Sequence, residues 1–176
     1  MANEEHNGVL SRFWASINYW LSDKGIPDFV SNTLLFFFFF LISTMIHEAG
    51  HVIAGKIMCE GGAGLSAMTL LTGMTTVGEC SLFGLQVTAL AGPLFAFIIG
   101  LWIWYGDEDD KIRVLGFLMF TLSGVFQLYP VGMSDGQQFI NFGGAPVIVW
   151  GLFIILSGIT ANLLVAEVTE KEPWNM

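Results

Sequence analysis

Apolar residues run almost unbroken through most of this chain, and polar positions gather in a few short clusters between the runs. Between Asp28 and His47 lie eighteen uncharged residues, including Phe36-Phe37-Phe38-Phe39-Phe40-Leu41-Ile42. The apolar pattern then continues through Val52, Ile53, Ile57 and Met58. It predicts one helix over about 29–59, longer than the ~20 residues that cross a bilayer core. Three further spans are predicted over about 82–105, 112–133 and 146–166. The first of these ends on Trp102, Trp104 and Tyr105, an aromatic anchor suited to a membrane interface. Pro130 is expected to kink or unwind the end of the next. The last carries no ionisable residue and reads as a plain anchor.

The stretches outside these runs have textures of their own. Leu10, Phe13, Trp14, Ile17 and Leu21 recur at three- and four-residue steps, which predicts an amphipathic helix over 9–21 lying on a membrane surface. Gly25 and Pro27 break that pattern before the first span. Gly61 to Gly78 is uncharged but rich in Gly and Thr, a composition that argues against a spanning helix. A β-hairpin or a re-entrant loop packed on protein is expected there, because lipid does not tolerate open backbone. The predicted fold is therefore an all-α integral membrane protein with about four transmembrane helices. An N-terminal interfacial helix and a short β or re-entrant segment after the first span complete it. Its organisation is a tail and interfacial helix over 1–28, a transmembrane domain over 29–166 and a polar tail over 167–176.

Composition agrees with that class. Of 176 residues, 54% are hydrophobic and 12% charged, an apolar excess over soluble proteins with about half their charge. The length suggests one domain. The net charge of −9 is concentrated in the N-terminal tail, in Asp107-Glu108-Asp109-Asp110 and near the C-terminus, where acidic residues read as solvated loops. No basic surface for nucleic acid is present. Cys59 and Cys80 have no metal-ligand spacing and read as small packing residues rather than a disulfide. No cleavable signal is expected, since the first long apolar run lacks a preceding basic region and is too long for one.

Against this background His47-Glu48-Ala49-Gly50-His51 stands out. HExxH on a helix sets two imidazoles one turn apart on one face, the spacing that chelates zinc, with a glutamate beside them as a base. The bland alternative is a pair of core histidines bonded to neighbouring helices. Ionisable groups at membrane depth need compensation, and a metal ion supplies it. Catalytic zinc takes three protein ligands and an open position. Asp135, Glu79 and Glu60 are candidates for the third. Spans one and three must run parallel, since one span separates them, so their later ends share a membrane face. That argument favours Asp135, although before Gly136 it also reads as a turn residue.

The motifs HEAGH, Ala91-Gly92-Pro93-Leu94 and Leu128-Tyr129-Pro130 followed by Asp135-Gly136 occur in successive spans. In that order the chain resembles the site-2 protease family of intramembrane zinc metalloproteases, over roughly residues 30–140. The resemblance implies one Zn²⁺ held by His47, His51 and Asp135, the last in a Pro-x-x-x-x-Asp-Gly setting, with Glu48 as catalytic base. It also gives Gln127, Pro130 and Gly136 roles beside substrate or ligands. Gln127 and Phe95-Ala96 depart from the asparagines many members carry, which bears on substrate handling.

The function so implied is hydrolysis of peptide bonds within or near transmembrane segments of other proteins. Such a segment must unwind to expose its bond, and the Gly61–Gly78 stretch offers an edge for it to pair with. Expected partners are transmembrane substrates, the lipid bilayer and a regulatory membrane partner, with no nucleic acid. Oligomeric state has no signature in the sequence. The resemblance places the active site toward the cytosolic face. The basic residues vote otherwise: Arg12, Lys24, Lys111, Arg113 and Lys171 share the terminal side against Lys56 alone. Two other classes compete: a non-catalytic relative that binds transmembrane helices, and a zinc-dependent membrane hydrolase or transporter with a non-protein substrate. A transporter would string ligands along a path, whereas here they cluster at one depth.

Overall fold

The computed structural model describes residues 26–68, 73–107 and 110–170. The predicted interfacial helix over 9–21 and the end of the C-terminal tail lie outside them. In chain order the elements are helix α1 (Ile26–Met58), strands β1 (Cys59–Met68) and β2 (Gly73–Cys80), and helices α2 (Leu82–Gly106), α3 (Asp110–Leu128), α4 (Asp135–Asn141) and α5 (Pro146–Glu170). The described residues are mostly helical with one small two-stranded sheet. Among the described residues, three helices, over Val30–Met58, Leu82–Gly106 and Pro146–Glu167, are long and apolar enough to cross a membrane.

The chain divides into two compact units, Met1–Phe37 and Phe38–Met176. In the first, the described residues are helical and present Leu34, Phe36 and Phe37 on the outside. The second holds every element described below.

Helix α2 is the centre of that second unit. Its buried residues are Gly84, Thr88, Ala89, Gly92, Pro93, Ala96, Phe97 and Gly100, one stripe at helical spacing. Small side chains recur on it every four residues, the pattern that lets neighbouring helices approach closely. Phe97 packs with Val125 and Leu128 of α3 and Leu156 of α5. A second cluster joins Ala89 to Phe139 of α4 and Val149 of α5. The Gln86 amide donates to the Phe142 carbonyl at 2.8 Å, fastening the end of α4 to α2.

The third helix is shorter than its apolar pattern predicts. It ends at Leu128, not near 133, and its apolar stretch is Ile112–Leu128. Proline bars the α conformation from the residue before it, so Pro130 stops the helix ahead of Tyr129. The chain then turns and restarts as α4 at Asp135, which is thus the first residue of a separate helix and not the tail of the previous one. The last helix runs on to Glu170, past the predicted 166.

The Gly/Thr-rich stretch forms an antiparallel hairpin, with Glu60 opposite Glu79 and Leu65 opposite Thr75. Two irregularities in the register bend it, one of them at Gly61 and Gly62, whose φ of 81° and 72° only glycine adopts readily. Cys59 and Cys80 face each other across its base and are joined as a disulfide. This overturns the reading of both as packing residues. Their spacing of 21 along the chain carried no hint of it, because only the strand register brings them together.

Candidate metal centre

Helix α1 carries His47, Glu48 and His51 in its second half, and all three are buried. The four-residue step stacks the imidazoles on one face, with ring centroids 4.9 Å apart and Nε2 atoms 3.1 Å apart. Asp135 reaches the same point from the first turn of α4. Its Oδ2 lies 2.9 Å from His47 Nε2 and 3.4 Å from His51 Nε2. Its position is set by Ser134, which caps α4 by accepting from the Gln137 amide at 3.2 Å. The Ser134 hydroxyl also accepts from the Val131 amide and donates to the Tyr129 carbonyl at 2.7 Å. One hydroxyl therefore knots the turn that delivers Asp135.

The protons decide what this triangle is. His51 Nδ1 lies 2.7 Å from the Thr88 carbonyl. A carbonyl oxygen only accepts, so Nδ1 carries the proton, and in the neutral ring Nε2 is a bare lone pair. A proton on His47 Nε2 can serve two of the three approaches. The third still sets the His51 lone pair against a carboxylate oxygen. A single cation satisfies all three at once. Donors bound at ~2.0–2.1 Å around one tetrahedral ion of zinc's size stand about 3.3 Å apart. The three separations found here, 2.9, 3.1 and 3.4 Å, bracket that figure. The donor set thus fits a metal ion, and the backbone acceptor on His51 is the partner metal-binding histidines usually have.

Glu48 also brings its carboxylate near. One oxygen lies within 4.8 Å of the donor nitrogens of His47 and His51, so His47, Glu48 and His51 form a buried group that can hold a metal ion. Its Oε2 accepts a hydrogen bond from the Thr75 hydroxyl at 2.7 Å.

Two glycines let α1 and α2 close around the centre. A β-carbon on Gly50 would stand 2.6 Å from the Ala91 carbonyl oxygen, and one on Gly92 would collide with the His51 ring. Gly92 of α2 is therefore the floor beneath that imidazole.

The rival ligands Glu60 and Glu79 are exposed on the hairpin and lie outside the buried group. Gln127 is exposed on α3, Pro130 is half-buried in the turn, and Gly136 is buried beside Asp135. The side chains of Gln137 and Gln138 bond to Asn141 and to the Met133 carbonyl. Three contributors went unforeseen: Thr75, the Thr88 carbonyl and Ser134. Ser134 had a signal, since serine before a carboxylate is a helix-cap pattern. Compared with known proteins, the chain matches no family profile, no curated sequence and no solved structure.

Proposed function

We propose that this protein is an integral membrane zinc metalloprotease of the site-2 protease kind, cutting peptide bonds within or near transmembrane segments of other proteins. The observation that carries the reading is the meeting of His47, His51 and Asp135 from two distant segments, with Glu48 beside them. A membrane setting is supported by the outer faces of the long helices. Ile57, Ile98, Trp102, Ile154 and Val165 are large apolar side chains on these helices, and all are exposed.

His47, His51 and Asp135 would hold one Zn²⁺. When bound it supplies Lewis-acid polarisation of a carbonyl and a water acidic enough to ionise near neutral pH. The chain's own residues do the rest. Thr88 fixes the tautomer of His51 through its carbonyl. Glu48 accepts the proton of the attacking water and passes it to the leaving amine. Burial among apolar helices keeps bulk water from competing for these groups.

Two features of this chain favour the orientation opposite to the one the family resemblance implies. Disulfides persist in oxidising compartments, and Cys59–Cys80 lies at the end of α1 that carries the site. The basic residues favour the opposite end as cytosolic. The proposal therefore puts the site toward the non-cytosolic face. Single cysteines placed at the 107–110 loop should then label from the cytosolic side.

The test of function uses the full chain purified in detergent, a metal analysis and a panel of single-span peptides of about 20 apolar residues. The expected result is one zinc per chain and cleavage of at least one peptide. Glu48→Gln should keep the zinc and lose cleavage by about 10²- to 10⁴-fold. Normal cutting by Glu48→Gln would end the hydrolase reading.

A further inference from the structure

Thr75 and Thr76 are neighbours on β2 that bond in opposite directions. Successive strand residues point to opposite faces, and here the two hydroxyls divide accordingly. Thr76 is exposed and donates to the Gly64 carbonyl of its own hairpin at 3.2 Å. Thr75 leaves the hairpin altogether and donates to Glu48 Oε2 at 2.7 Å.

The hairpin is held against α1 by more than this bond. Gly55 lies two turns beyond Glu48 on the same helix face, seven residues on. A β-carbon there would stand 2.5 Å from the Ala63 methyl and 3.1 Å from Val77 Cγ1, so both strands rest on the bare backbone of Gly55. The disulfide fastens the hairpin's base. Packing and covalent closure thus bring Thr75 over Glu48. A base on one freely turning bond loses rate, because proton transfer needs the carboxylate oxygen within hydrogen-bond reach of the reacting water. A hydroxyl bonded to one oxygen restrains the rotation of the carboxylate.

We propose that Thr75 is the positioning residue for Glu48, its hydroxyl holding the carboxylate so that one oxygen stays turned toward the His47–His51–Asp135 centre. This role rests on the metalloprotease reading above. It assigns the hairpin a part in the reaction that is separate from any contact with substrate.

The test compares the wild type, Thr75→Val, Thr75→Ser and Thr76→Val as full chains loaded with zinc, on the peptide that the wild type cuts. Thr75→Val keeps the shape and strand preference of threonine and removes only the donor. Its kcat should fall about 10- to 100-fold, the usual cost of losing a partner that orients a site residue, with KM and zinc content unchanged. Thr75→Ser should recover most of that loss. Thr76→Val, which disturbs the same strand, should cut as the wild type does. In the Glu48→Gln background, Thr75→Val should cost nothing further.

Wild-type kcat in Thr75→Val overturns the proposal, and so does an equal loss in Thr75→Ser. Loss of zinc along with kcat also overturns it, by making the hairpin a prop for the whole centre. A wild type that binds zinc and cuts no peptide defeats the proteolysis reading itself, a result distinct from wild-type cutting with an indifferent Thr75.

Discussion

Two clusters of ionisable side chains lie at opposite ends of α3, and they are built on opposite principles. Before its first turn is complete, Arg113 places one guanidinium nitrogen 2.8 Å from each carboxylate oxygen of Glu167 on α5. The same guanidinium lies over the Trp104 ring, 5.5 Å from its centroid. Donors meet acceptors and positive meets negative across this pair. Beyond the other end of α3, Asp135 meets two imidazoles, one of them committed by Thr88 to offering a lone pair. There acceptors outnumber protons. The matched pair holds α3 to α5; the unmatched one has room for chemistry. Burial and charge alone would not distinguish them, whereas counting protons does.

The largest expected effect that would break this contrast comes from Asp135→Ala. It should abolish stoichiometric zinc binding and cleavage together, read by metal analysis and the peptide assay. Full activity in that variant would make Asp135 a structural acid, like Glu167. Gly92→Ala comes next. Its methyl group would push against the His51 ring, and zinc affinity should fall by about 10- to 100-fold in a competition titration with a chelator. Unchanged affinity would mean that α1 and α2 can separate at no cost. Arg113→Met should leave zinc binding untouched and lower stability. For a buried pair broken on one side the cost is about 3–5 kcal/mol. The Arg113 side chain is 24% exposed, so thermal unfolding in detergent should show a loss at or below the lower end. Arg113→Met combined with Glu167→Met should recover it, because a matched pair and a matched apolar contact are close in energy.

Much of the frame was legible in the sequence because its signals are local. Long apolar runs give helices, and the four-residue step between His47 and His51 needs no tertiary information. Asp135 was reachable by parity, since helices separated by one span run the same way. Its setting was not reached. The pattern of apolar residues carried the third helix to 133, but Pro130 ended it at Leu128 and Ser134 restarted the chain. Patterns of hydrophobicity report burial, and they are silent on where backbone hydrogen bonding stops. The disulfide and Thr75 were hidden for a different reason. Both depend on the register of one hairpin and its lean against Gly55, and two bulges set that register. No local feature of Gly61–Gly78 states how many residues each bulge inserts.

The buried acids and imidazoles around the centre, Glu48 included, also have an arithmetic of their own. Glu48 and Asp135 carry two negative formal charges, and the neutral imidazoles add none. A divalent ion brings the sum to zero. A monovalent ion would leave one negative charge and a trivalent ion one positive, in apolar surroundings where either is costly. On the metalloprotease reading, charge balance alone would favour a divalent ion at these side chains.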